Sequence, residues 1–272
     1  MNNPIKFFLN VFAMALLASA SSCVTSDLEE DMAVVDKGIS SDEISGMMGL
    51  MEEVDLMIMS TLQQGLNQQR LLPLLEEMTC PETVITRDDK NGKISVDFGS
   101  GCVSAGGLEK QGSLTVKYSD NFLSKGSLLE ISFEDFSVNG RKLQGTKTLE
   151  NLGYDAVERK LKFSSSMKNF KIIDEDAQVY TVNQNYFREL ELSTETDGFR
   201  IYLKGSGSLA AENYSTTTFE IVQPLKYMQE CIESGSFNPI EGSLQISSKA
   251  DKSTILSFES SGCSSLSSFS YF

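Results

Sequence analysis

Thirty-eight carboxylates and five thiols carry most of the reactive chemistry of this 272-residue chain, which has no histidine and no tryptophan. Without imidazole, the Ser-His-Asp and Cys-His nucleophilic mechanisms and the histidine-based zinc sites are excluded. Paired carboxylates remain, as in glycoside hydrolysis, where two acids flank the scissile bond at about 5–9.5 Å from each other. Asp97, Asp135, Asp174, Glu175, Asp176 and Glu195 are available for such a role. Nothing in their spacing selects two of them, so no catalytic residue is expected and the chain does not read as an enzyme. Asp174-Glu175-Asp176 looks like half a calcium loop but lacks the glycine and distal glutamate that shape one, and reads as an acidic turn. The five methionines between Met47 and Met59 suit the irregular gaps of a core better than a soft-metal site. No metal or other cofactor is expected.

The thiols are more informative. A basic start, Met1-Asn-Asn-Pro-Ile-Lys6, leads into an apolar run from Phe7 to Leu17 and then the small residues Ala18 to Ser22, ending at Cys23. That is the pattern of a secretory signal over residues 1–22, too short to span a bilayer. A cysteine placed there resembles a bacterial lipobox, whose thiol receives a diacylglycerol before cleavage, although Ala20 stands where leucine is usual. Cys23 is therefore the expected lipidation site, and two or more acyl chains at about 0.8 kcal/mol per buried CH₂ make a firm membrane anchor. Asp27, Glu29, Glu30 and Asp31 follow closely. Clustered like charges stay extended, so residues 23–40 read as an acidic tether. The same tract resembles the export signal that sends Bacteroidota lipoproteins to the outside of the outer membrane.

Four cysteines remain, and an even number in an exported chain implies disulfides with three possible connectivities. Local spacing favours nearest neighbours, Cys80 with Cys102 and Cys231 with Cys263. The Asp89 to Gly92 turn would reverse a strand leaving Cys80 and return it through Ile94 to Phe98, bringing the first two sulfurs together. The second pair echoes the first, since Phe258-Glu-Ser-Ser-Gly-Cys263 again sets an aromatic shortly before Ser-Gly-Cys. Closing the first loop would stabilise the fold by roughly 3 kcal/mol.

The elements that must position these residues follow from periodicity. Ser40 with Glu43 has capping-box spacing, so a helix should begin there. Ile44, Met47, Met48, Met51, Val54, Ile58 and Leu62 form a continuous apolar stripe, and from Val54 to Met59 the helix is apolar nearly all round. Such a helix must be buried on several sides, as inside a curved sheet. After Cys80 the period becomes two: Leu114, Val116 and Tyr118 alternate with polar residues, as do Leu129, Ile131 and Phe133, Leu161 and Phe163, and Phe199, Ile201 and Leu203. Asn91-Gly92, Asn139-Gly140 and Asp197-Gly198 mark hairpins. Gly-Ser-Leu at Gly112, Gly126, Gly207 and Gly242 is expected to open strands. Leu225 to Ser236, between prolines, reads as an irregular edge strand or a short helix, and the serine-rich residues 266–272 as a frayed tail. The fold class is mainly β: one domain over 41–272, a large curved antiparallel sheet, open barrel or sandwich-like, packed on an N-terminal helix.

With a net charge of -15 and a pI near 4.5, the chain would be repelled by a phosphate backbone, so no nucleic-acid partner is expected. The Cys-Pro strand closed by Asp97-Phe98-Gly99-Ser100-Gly101-Cys102, with Gly106-Gly107 and Gly112-Ser-Leu-Thr-Val116 after it, resembles a group of uncharacterised Bacteroidota surface lipoproteins. The resemblance covers Cys80 to Cys263 and departs at Phe258, which lacks the adjacent glycine. It implies an address and an architecture. The expected protein is a lipid-anchored binding or structural module of the outer membrane, exposed at the cell surface, whose one partner readable from sequence is the membrane. A carrier of a lipid-like ligand in the concave face of the sheet is the alternative, and a carboxylate-dependent glycan hydrolase a more distant one.

Overall fold

The computed structural model describes residues 37–63, 80–104, 107–119, 122, 124–192, 198–249, 253–260, 262–263 and 266–271. The chain divides into Met1–Val35 and Asp36–Phe272, and every described residue lies in the second unit. In chain order its elements are β1 (Lys37–Gly38), α1 (Ser41–Gln63), β2 (Val84–Asp88), β3 (Lys93–Asp97), β4 (Cys102–Val103), β5 (Glu109–Tyr118), β6 (Leu128–Val138), β7 (Arg141–Gln144) and β8 (Thr146–Asp155). There follow β9 (Lys160–Ile173), β10 (Val179–Leu192), β11 (Phe199–Ala211), β12 (Tyr214–Ser215), β13 (Thr217–Met228), α2 (Gln229–Glu233), β14 (Glu241–Ser248), β15 (Thr254–Glu259) and β16 (Leu266–Tyr271).

Fourteen strands form one sheet in which neighbours run antiparallel, with β2 at one edge and β16 at the other; β1 and β12 pair separately and in parallel. This is the expected mainly-β architecture on an N-terminal helix. Its inner face carries the residues whose alternation announced it: Leu114, Val116, Leu129, Ile131, Leu161, Phe163, Phe199, Ile201 and Leu203 are all buried. From Met47 to Leu62 every residue of α1 is buried, so the helix fills the space the sheet curves around.

Glycines shape that curvature. β7 and β8 occupy one position between β6 and β9, broken at Gly145. Its φ of +126° is one that L side chains rarely adopt. Gly112, expected to open a strand, instead lies inside β5 at a register shift against β6. Gly207 likewise lies within β11. Small residues are needed in mid-strand because a bulged, strongly twisted sheet brings backbones close together.

Both ends of α1 are tied down. Ser40 Oγ accepts from the Glu43 amide at 3.2 Å while Glu43 Oε2 accepts from the Ser40 amide at 3.0 Å, the capping box read from sequence. Tyr180 of β10 donates to Glu43 Oε1 at 2.7 Å. At the other end no basic residue occupies the last turn. Arg87 of β2 supplies the charge instead, donating to the carbonyls of Thr61 and Leu62 at 2.8 and 2.7 Å.

Two readings of the C-terminal region change. Leu225 belongs to β13, an interior strand between β11 and β14, and only then does the chain turn into the short helix α2. A register shift beside Pro224 accommodates the missing amide. Residues 266–271, expected to fray, pair with β15 in register from Glu259↔Leu266 to Thr254↔Tyr271. Backbone pairing along the sheet edge does not need the apolar alternation on which the tail reading relied.

Candidate functional site

Three carboxylates sit in the otherwise apolar middle of α1: Glu52, Glu53 and Asp55, each at most 2% exposed. A buried charge needs a partner, and the sheet provides three from three strands. Arg188 of β10 donates from Nε to Glu52 Oε1 at 3.1 Å and from Nη2 to Glu52 Oε2 at 2.6 Å and to Asp55 Oδ2 at 2.7 Å. Lys147 of β8 contacts Asp55 Oδ1. Lys110 of β5 pairs with Glu53 Oε1 at 3.3 Å. With three acids and three bases the cluster is neutral when all six are ionised.

Its members are not equivalent. Burial alone would raise the Asp55 carboxyl, but Lys147 and Arg188 outweigh it and hold Asp55 below the usual carboxylate range. Burial pushes the Lys147 ammonium down, Asp55 opposes this, and the Arg188 charge adds to it. These directions agree, because Asp55 is gripped by two cations while Lys147 touches one carboxylate and feels Glu52 only at a distance. For the outer pair burial wins on both sides: Glu53 is raised and Lys110 lowered despite their mutual attraction. Around Arg188, on the same face of β10, lie Gln184 and Tyr186, with Ser165 of β9 opposite Tyr186. Gln184 Nε2, Tyr186 OH, Ser165 Oγ and Tyr227 OH are buried without a hydrogen-bond partner among the described residues.

An open cleft of about 570 Å³ lies at the end of the sheet beside the first half of α1. Gly46, Gly49 and Glu53 form its helical wall. The turn after β6 contributes Asn139, the start of β7 Arg141, the turn after β9 Asp174 to Asp176, and the segment after α2 Phe237 and Asn238. Gly49 is there for space: a Cβ on it would sit 3.1 Å from the carbonyl oxygen of Phe237. Asp174 is spent on its own turn, its Oδ1 accepting from the Gln178 amide at 2.8 Å. Among the described residues, the Arg141 guanidinium in this cleft makes no ion pair.

No protein-family model, curated protein or solved structure matches this chain. The reading of its chemistry therefore rests on the residues themselves.

The structure joins Cys80 to Cys102 and Cys231 to Cys263, with Cα separations of 6.1 and 4.9 Å. The second bridge is not a second hairpin, because Cys231 belongs to α2. Glu230, Cys231 and Cys263 bring potential ligand atoms within 4.8 Å of one another, but both sulfurs are engaged in the disulfide and are not available to a metal. Of the acids singled out from sequence, Asp97 caps the turn to Gly99 at 2.8 Å and Asp135 pairs with Lys142 at 2.6 Å, both at the surface. Asp174, Glu175 and Asp176 share the cleft. Cys23, Asp27, Glu29, Glu30, Asp31 and Glu195 lie outside the described residues.

Sequence reasoning missed the ionic cluster. The signal was present: Glu52, Glu53 and Asp55, with no base, in the stretch of the helix apolar enough to be buried require cations from elsewhere. Lys147 and Arg188 stand in phase with Leu149 and Leu190 on the buried side of their strands.

Proposed function

We propose that this protein is a lipid-anchored cell-envelope module, displayed on the outer membrane surface, that binds a polar, uncharged ligand such as an oligosaccharide in its end cleft. The observation that carries the reading is the division of space. Helix α1 occupies the concave side of the sheet, so the place for a ligand is the cleft of about 570 Å³, within the usual range of small-molecule sites. Four carboxylates and one guanidinium line it, a balance that disfavours phosphates and other anions. Arg141 and Asn238 offer hydrogen-bond donors and Phe237 an apolar face. The address rests on Cys23 and the acidic tract after it. The filled interior weighs against a carrier of apolar ligands. The dispersal of Asp97 and Asp135 to exposed positions on separate strands, β3 and β6, weighs against a glycan hydrolase built on them.

A thermal-shift screen of the purified protein against neutral cell-surface oligosaccharides tests the cleft. The expected result is a saturable rise in Tm with at least one of them, lost in the Arg141→Ala, Glu175→Ala double variant. No response from a folded protein, or a response that the double variant retains, would refute the cleft as the site.

A further inference from the structure

We propose that Lys147 and Asp55 condense to an isopeptide bond that staples α1 to the sheet, a modification independent of the binding reading above. The two residues come from different layers, β8 and the middle of α1, and their side chains are at most 1% exposed. Lys147 Nζ touches Asp55 Oδ1 and meets no other acceptor among the described residues. An ammonium with three N–H bonds thus contacts one oxygen away from water, with the Arg188 charge close by, which is costly to maintain. A secondary amide carries no charge and has one N–H to satisfy.

The surroundings suit the reaction. Asp55 Oδ2, the oxygen not in contact with the amine, accepts a hydrogen bond from Arg188 Nη2 at 2.7 Å. Lys147 passes one proton to Oδ1, which leaves a neutral amine beside a neutral acid. Nζ then attacks Cγ, and the negative charge gathering on Oδ2 is held by the Arg188 guanidinium, an oxyanion site built in advance. A second proton moves from Nζ to Oδ1, the Cγ–Oδ1 bond breaks and water leaves. Ammonium plus carboxylate becomes amide plus water, with no oxidant and no cofactor. Burial pushes the Lys147 ammonium toward the neutral amine that must attack, whereas Lys147 and Arg188 hold the Asp55 carboxyl low, so the proton transfer to Oδ1 is the step that the site opposes.

Charge balance is preserved. Condensation removes one cation and one anion and leaves Arg188 paired with Glu52 and Lys110 with Glu53. The outer pair is less suited to the same step. Lys110 and Glu53 stand 3.3 Å apart, and among the described residues no second cation grips that carboxylate.

Tryptic mapping of the full chain, reduced and denatured, decides the matter. Uncondensed protein gives separate peptides 38–70 and 143–147. The expected result is one branched peptide joining 38–70 to 143–159, one water lighter than the sum, with cleavage after Lys147 lost. Recovery of linear 38–70 and 143–147 in full yield would overturn the proposal. Lys147→Arg, which keeps the charge but removes the nucleophile, should abolish the branched species and release 38–70 alone. A branched peptide persisting in that variant would overturn the assignment to Lys147. The wild-type map stands by itself should the variant fail to fold.

Discussion

Arg188 grips Glu52 through two hydrogen bonds, at 3.1 and 2.6 Å, across the boundary between sheet and helix. Neither side chain is more than 2% exposed, so the pair is a registration device: the carboxylate has one place where its charge is met. Removing one partner leaves the other charged and buried. Arg188→Met should therefore lower stability by about 3–5 kcal/mol. Adding Glu52→Gln should recover part of that loss, since the orphaned charge goes too. Denaturant unfolding of the two variants checks this, and a loss below about 1 kcal/mol for Arg188→Met would mean that the pair does not hold the helix.

Two glutamates of α1 respond to pH with opposite signs. Burial works against ionised Glu43, but the hydrogen bonds from Ser40 and Tyr180 prevail and lower its pKa. Its contribution is present above the unfolded carboxylate value of about 4.3 and lost as pH falls through the lower folded value. For Glu53 burial dominates and raises the pKa. The folded state then holds this proton more tightly than the unfolded one, and the contribution is lost as pH rises through the folded value. Glu53→Gln carries no such dependence and should gain on wild type as pH rises from about 4.5 toward 7. Glu43→Gln should lose least against wild type below pH 4 or so. Tm measured across this range tests both slopes, and parallel wild-type and Glu53→Gln profiles would contradict the Glu53 sign.

The fold was legible because its signals are local. Alternation of Leu114 with Val116, or of Ile201 with Leu203, identifies a half-buried strand without reference to its neighbours, and Ser40 with Glu43 is a contact within one turn. The buried cluster was not legible in the same way. Glu52, Glu53 and Asp55 lie within four residues of sequence, but Lys110, Lys147 and Arg188 reach them from three strands, and their pairing depends on sheet register. The cleft is harder still, since it is assembled from turns whose sequences, such as Asn139-Gly140 and Asp174 to Asp176, are fully explained by turn formation alone. The last strand escapes the sequence pattern for a related reason: an edge strand held by backbone pairing leaves little trace in side-chain pattern.

The anchor can be tested without the fold. Among the described residues, no helix is long and apolar enough to cross a membrane. Each buried CH₂ of an acyl chain contributes about 0.8 kcal/mol, and two or more chains hold firmly where one holds only marginally. Cys23→Ala should shift the protein from the membrane fraction to a soluble one while both disulfides still form. Changing Asp27, Glu29, Glu30 and Asp31 to Ala should act differently, leaving the protein acylated and membrane-bound but shielded from protease added outside intact cells. Fractionation after a carbonate wash and protease shaving separate the two steps. A Cys23→Ala protein that stays with the membrane would exclude the thiol as the anchor, and undiminished shaving of the acid-free variant would reduce the acidic tract to a tether.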